Sequence, residues 1–169
     1  MRHLEKRWFS KLFNINLITI GRLKEDYWRK ASAEYEKRLG AFCKIKIIEL
    51  EESKLPENPS IKEINIALEN ESKAILKNIS GCIISLCIEG EQFSSEKFAE
   101  KIDALGIDGN STLNFIIGSS HGLSDNIKEK SKIKISMSKM TFPHQMARIL
   151  LLEQIYRAFM IINNNKYHK

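Results

Sequence analysis

Apolar and polar positions along this chain follow two rhythms, and the rhythms take turns. Residues 15–20 (INLITI) form a short β-branched run that ends at Gly21, which predicts a buried strand. Helical spacing follows: Trp28, Ala31, Tyr35 and Leu39 step by three, four and four, and Gly40 is placed to stop that helix. Residues 45–50 (IKIIEL) predict a second strand, and 51–60, with Pro56 and Pro59, a loop. Ile61, Ile64, Leu68 and Ile75 mark a second helix face. Residues 82–88 (CIISLCI) predict a third strand, too continuously apolar for a sheet with one wet face, which implies a central, parallel position. Gly90 begins a turn, and Phe98, Ile102 and Leu105 mark a third helix. A fourth strand at 113–117 ends in Gly118. A short helix at 124–130 and a fifth strand at 133–137 come next, and Pro143 suits the first turn of a long final helix.

Strands alternating with helices predict an α/β domain with a mostly parallel sheet. The pattern places one domain over residues 15–169, behind a basic extension at 1–14. Ligands of such sheets bind beyond the carboxyl ends of the strands, so the loops after Ile88, Ile117 and Met137 are the natural site walls.

Composition narrows the class only a little. The chain has 169 residues, 43% of them apolar, enough for one real core. Its longest apolar stretch, 149–162, is interrupted by Glu153, Gln154 and Arg157, so no membrane span is expected. The net charge is +6; Arg2, Lys6, Arg7 and Lys11 against Glu5 place half of it in the extension. That mild basicity permits contact with a polyanion without establishing it. Cys43, Cys82 and Cys87 show neither CxxC nor Cys/His ligand spacing, which points to a reduced, cytoplasmic setting and to no metal site.

Three segments carry candidate chemistry. Gly118-Ser119-Ser120-His121-Gly122 follows a strand and precedes a short helix, where small residues let a ligand approach the backbone. It is neither GxGxxG nor a P-loop, which disfavours a nucleotide-phosphate enzyme. The polar run Ser136, Ser138, Lys139, Thr141 leads into Pro143 and a helix apolar nearly all round, which needs cover on more than one side: its own core or a second subunit. Arg148 and Arg157 interrupt that surface and suit ion pairing or phosphate binding. His144 and His168 are of the residue type suited to handling protons, and Tyr167 beside His168 is the kind of aromatic on which an unpaired base stacks.

In order, the motifs LCIEG (86–90), FIIGSSHGL (115–123), SMSKMTFPHQM (136–146) and the closing Tyr167-His168 resemble the RlmH family of SPOUT-class RNA methyltransferases, with GRLKEDYWRKASAEYEKRLG (21–40) similar as well. The resemblance covers residues 15 to 169. It implies a mostly parallel sheet with helices on both faces and a C-terminal trefoil knot, a homodimer, and S-adenosylmethionine as methyl donor. The implied reaction is methylation at N3 of a pseudouridine in large-subunit ribosomal RNA, on the assembled ribosome and without a metal. Carried over by position, Leu86, Gly118, Met137, Ser138, Lys139, Met140, Thr141 and Phe142 hold the cofactor. His144, Arg148, Tyr167 and His168 serve the RNA side, with Tyr167 and His168 positioning the base or handling its proton and Arg148 stabilising an anion.

Two residues depart from the family pattern. Ser119 stands where a second glycine is usual, at a cost of about 1 kcal/mol if that position needs positive φ. Glu91 stands where a basic residue is common. They keep open a non-catalytic RNA- or ribosome-binding module; another RNA substrate, such as transfer RNA, also stays open.

Overall fold

The computed structural model describes residues 13–165; most of the expected extension, and Tyr167 and His168, lie outside the described residues. Ten elements alternate: β1 (Asn14–Ile20), α1 (Asp26–Leu39), β2 (Lys44–Leu50), α2 (Ile61–Leu76), β3 (Cys82–Glu91), α3 (Ser95–Ile107), β4 (Thr112–Ile117), α4 (Asp125–Lys130), β5 (Ile133–Ile135) and α5 (His144–Ile162). The strands form one sheet in the order β2-β1-β4-β3-β5, every pair parallel.

Strand alternation sorts the core onto two faces. Ile15 and Leu17 of β1 and Leu113, Phe115 and Ile117 of β4 meet Leu39, Phe98, Ile102, Leu151, Ile155 and Phe159, so α1, α3 and α5 cover one face. Ile18, Ile20, Ile83 and Ile116 meet Ile75, Leu123 and Ile127, so α2 and α4 cover the other. Both layers expected for an α/β fold are present. β3 lies inside the sheet between β4 and β5, as its unbroken apolar run implied. β2 is an edge strand and alternates accordingly, with Lys44 and Lys46 exposed.

Several expected boundaries shift. Phe13 is buried and Asn14 opens β1, so the domain reaches two residues into the expected extension. β5 ends at Ile135 rather than Met137; the Ser136 N–H still reaches the Glu91 carbonyl of β3, and the chain then runs into a loop. Gly90 does not begin a turn. β3 pairs with Ile135 through Leu86, breaks register, and pairs with Ile135 again through Glu91. Pro143 is the N-cap of α5, not a residue of its first turn. A capping box opens α2: the Ser60 hydroxyl accepts from the Glu63 N–H at 3.3 Å, and Glu63 accepts from the Ser60 N–H at 2.8 Å. The Ser60 hydroxyl also donates to the Glu63 carboxylate at 2.7 Å, and this bond, with that of the Ser60 N–H, holds the carboxyl below its usual value.

Phe159 anchors the helical layer. It is fully buried, with its ring edge-on to Phe13 at 5.8 Å and stacked on Phe42 at 6.2 Å. Phe159→Ala should lower stability by roughly 3–5 kcal/mol. Urea unfolding followed by circular dichroism should show the midpoint falling with little change in slope.

Candidate functional site

Three loops at the carboxyl ends of β3, β4 and β5 enclose one cavity of about 750 Å³. The first is the excursion 87–90 between the two pairings of β3 with β5. It presents Cys87, Ile88 and Glu89 beside Leu86. Its return depends on Gly90, where a Cβ would stand 2.5 Å from the Ile135 carbonyl carbon. The second is the loop 118–122 after β4. The Gly122 N–H donates to the Ser119 carbonyl at 2.9 Å, and a Cβ on Gly118 would stand 2.1 Å from the Gly122 carbonyl oxygen. Gly118 is thus set first by the loop's own closure. Gly122 carries φ +86°.

The third loop runs from Ser136 to α5. The Ser136 N–H donates to the Glu91 carbonyl at 3.0 Å, the Ser136 hydroxyl to the Ser138 carbonyl at 3.0 Å, and the Met140 N–H to the Ser138 hydroxyl at 3.0 Å. Hydroxyls here replace the ladder bonds the strand would have made. Met137, Ser138, Met140, Thr141, Phe142, Pro143 and His144 line the cavity from this side.

Polar and apolar side chains both line the cavity, with Ser119 and Ser136 buried and Ile88 and Met140 exposed. Among the lining residues Lys128 of α4 pairs with Glu89 at 2.6 Å. The hydrogen bond raises the lysine above its ordinary value and, from the other side, lowers the carboxyl below its own. The pair is intact across the neutral range; it is lost as pH falls through the lowered Glu89 value or rises through the raised Lys128 value. Among the described residues no three His, Cys, Asp or Glu are grouped to hold a metal, and no helix is long and apolar enough to cross a membrane.

Of the residues singled out in the sequence, Leu86, Gly118, Met137, Ser138, Met140, Thr141, Phe142 and His144 come together on this one cavity. Lys139 is exposed and is not among its lining residues. Arg148 does not line it either. Its guanidinium is buried under α5 and donates to the Glu49 carboxylate of β2 at 2.6 Å. Tyr167 and His168 lie outside the described residues. Sequence reasoning missed Cys87 and Glu89, which the irregular pairing of β3 with β5 brings to the cavity, and Lys128, which reaches it from α4. Ser119 carries no positive φ, so the condition under which it would be strained does not arise.

A parallel sheet with helices on both faces and a cavity at its strand ends defines an α/β domain with a candidate site where such sheets bind ligands. Residues 13–168 match the family described as predicted SPOUT methyltransferase, and the chain belongs to that family. Over 158 residues it is 49% identical to the ribosomal RNA large subunit methyltransferase H of Clostridium acetobutylicum, covering 92% of this chain and 99% of that protein. It is 47% identical, with the same coverage, to the methyltransferase H of Clostridioides difficile. Among solved structures, a probable methylase family protein from Haemophilus influenzae Rd KW20 superimposes with a TM-score of 0.51 at 18% identity, over 95% of this chain and 71% of that one, which shows a shared fold.

Burial pushes the Cys43 thiol up to about 12, and Cys82 and Cys87 also sit above the ordinary thiol value, chiefly through burial. Only Cys87 lines the cavity. With iodoacetamide at about pH 8.5, near the free thiol value, Cys87 should label slowly and Cys43 only on unfolding, as read by peptide mass spectrometry. Rapid labelling of Cys43 in the native protein would contradict the packing.

Proposed function

We propose that this chain transfers a methyl group from S-adenosylmethionine to N3 of a pseudouridine in large-subunit ribosomal RNA. It acts in the cytoplasm, on the assembled ribosome, as a homodimer. The observation that carries the reading is the single cavity formed by the three strand-end loops, in a SPOUT family chain similar along nearly its whole length to large-subunit RNA methyltransferases.

The cavity suits a nucleoside donor. Its volume of about 750 Å³ is within the usual range for small ligands. Leu86, Ile117, Leu123, Met137 and Phe142 offer apolar walls to an aromatic ring, and the loops at 118–122 and 136–142 offer backbone groups and hydroxyls to amino and ribose groups. Its lysine, Lys128, is already paired with Glu89, so no cluster of free cations asks for a phosphate chain. When bound, S-adenosylmethionine supplies a methyl carbon already activated by its sulfonium.

The chain's own residues then align the two partners and exclude water, which is worth on the order of 7–11 kcal/mol. Leu86, Gly118 and the loop 136–142 hold the donor. His144, on the cavity wall at the start of α5, faces the incoming base and handles the proton that leaves N3. No side chain caps α5, so its first-turn N–H groups favour the negative charge that develops there. Arg148, one turn further on and paired with Glu49, stays in this proposal as a positive charge behind that helix start. Tyr167 and His168 stay assigned to positioning the base and handling its proton.

Two further parts of the reading rest on packing. Ile135 and Ser136 pass hard against Gly90 and Glu91, which supports the trefoil threading implied by the resemblance. The Lys24 N–H donates to Gln145 at 2.7 Å and joins the approach to α1 to the first turn of α5. Tyr27, Met146 and Leu150 remain exposed around that junction, an apolar surface suited to a second copy.

Ribosomes lacking the modification, incubated with the protein and labelled S-adenosylmethionine, should take label at N3 of a large-subunit pseudouridine. Label on transfer RNA alone would redirect the substrate. RNA binding without S-adenosylmethionine binding would favour the non-catalytic module. In sedimentation equilibrium the protein should weigh twice its chain mass of 19.5 kDa. Met146→Glu with Leu150→Glu should shift it toward monomer.

A further inference from the structure

Glu71 is a charged-type side chain where the core would ordinarily place an apolar one. It sits on α2 and is only 5% exposed. Both its oxygens are used. Oε1 accepts from the Ser53 N–H at 2.9 Å, and Oε2 accepts from the Ser119 hydroxyl at 2.9 Å. Ser53 in turn donates its hydroxyl to the Ala67 carbonyl, one turn back on α2, at 3.2 Å. Next to it, Ser120 donates its hydroxyl to Glu52 at 3.1 Å. Two carboxyl groups, one from α2 and one from the segment after β2, thus grip consecutive serines of the loop 118–122.

That loop has little else to order it. Glycines at both ends remove steric limits on its backbone, and Gly122 is in the left-handed region. Its internal closure is the pairing of Ser119 with Gly122. Ser119 is 9% exposed, so its bond to Glu71 is shielded from water and strong for a hydroxyl–carboxyl contact. We infer that Ser119 and Glu71 are positioning residues for the donor: their buried hydrogen bond holds the glycine loop in its binding shape, so that the ligand need not order the loop itself. The serine that replaces a second glycine is thus a side-chain anchor where glycine has none. The inference rests on reading the cavity as the donor site.

The test uses the full chain, with S-adenosylhomocysteine as the binding probe by calorimetry and methyl transfer to ribosomes as the kinetic readout. Ser119→Ala and Glu71→Gln should each weaken S-adenosylhomocysteine binding and raise KM for S-adenosylmethionine by about tenfold, while kcat at saturation stays within about twofold. KM for ribosomes should not move. The double variant should bind no more weakly than the poorer single one, because both act through the Ser119–Glu71 contact. Ser119→Thr, which keeps a hydroxyl, should recover much of the affinity.

A merely structural bond would give another pattern: a lower melting temperature, with kcat and both KM values otherwise as in the unaltered protein. That result, or fully additive single losses, would overturn the inference while leaving the donor site in place. Failure of the unaltered protein to bind S-adenosylhomocysteine would remove the donor site itself and the inference with it.

Discussion

Backbone lies on backbone where β3 meets β5. A Cβ at Gly90 would overlap Ile135, and Glu91 takes the Ser136 N–H through its carbonyl. That contact lets β3 pair with Ile135 twice and throws residues 87–90 outward between the pairings. The outward turn is one cavity wall. The same contact fixes where the chain leaves β5, and so where the loop 136–142 must start. Because α5 follows directly, the placement of His144 over the cavity descends from the missing side chain of Gly90. A glycine is costly inside a strand, and here the cost is offset by a close approach no other residue allows.

Burial on two faces holds that arrangement in place. α5 packs on both α1 and α3, and its rings lock with Phe13 and Phe42 across the start of the sheet. Asparagines inside the sheet are paired at the end opposite the cavity. Asn16 donates to Asn114 at 2.9 Å, and Asn114 donates to the Ser80 carbonyl at 2.8 Å. Buried amides have few ways to be satisfied, so such pairs specify register between β1, β4 and β3. Register carries up to the strand ends, where a shift by one residue would turn Leu86 and Ile117 away from the ligand.

Periodicity made the elements legible because each depends on local pattern: every strand and helix expected from spacing is present, within a few residues. Motif order made the cavity's wall residues legible, since eight of them converge on it. What stayed hidden depends on partners distant in sequence. Gly90 reads as a turn residue until Ile135 lies against it. Cys87, Glu89 and Lys128 become wall and rim only through the bulge and through α4. Ser119 reads as a departure from a glycine pair, and nothing nearby in sequence announces Glu71, 48 residues earlier, as its acceptor. The capping box at Ser60 is local, but Pro56 and Pro59 just before it make the same stretch read as loop.

Arg148 shows why residue type alone does not assign a role. An arginine near a proposed RNA site invites a phosphate, but this guanidinium is only 5% exposed and reaches Glu49 rather than the cavity. Its Nε has no hydrogen-bond partner among the described residues. A buried pair left partly unsatisfied contributes little net stability, since desolvation offsets most of the attraction, and an apolar pair of similar size would fill the space as well. What the pair does supply is direction. Glu49 lies near the end of β2, and Arg148 lies four residues after His144, on the same side of α5. An ion pair has one good geometry where apolar contacts have several. It ties the start of α5 to β2, one turn after His144 on the cavity wall.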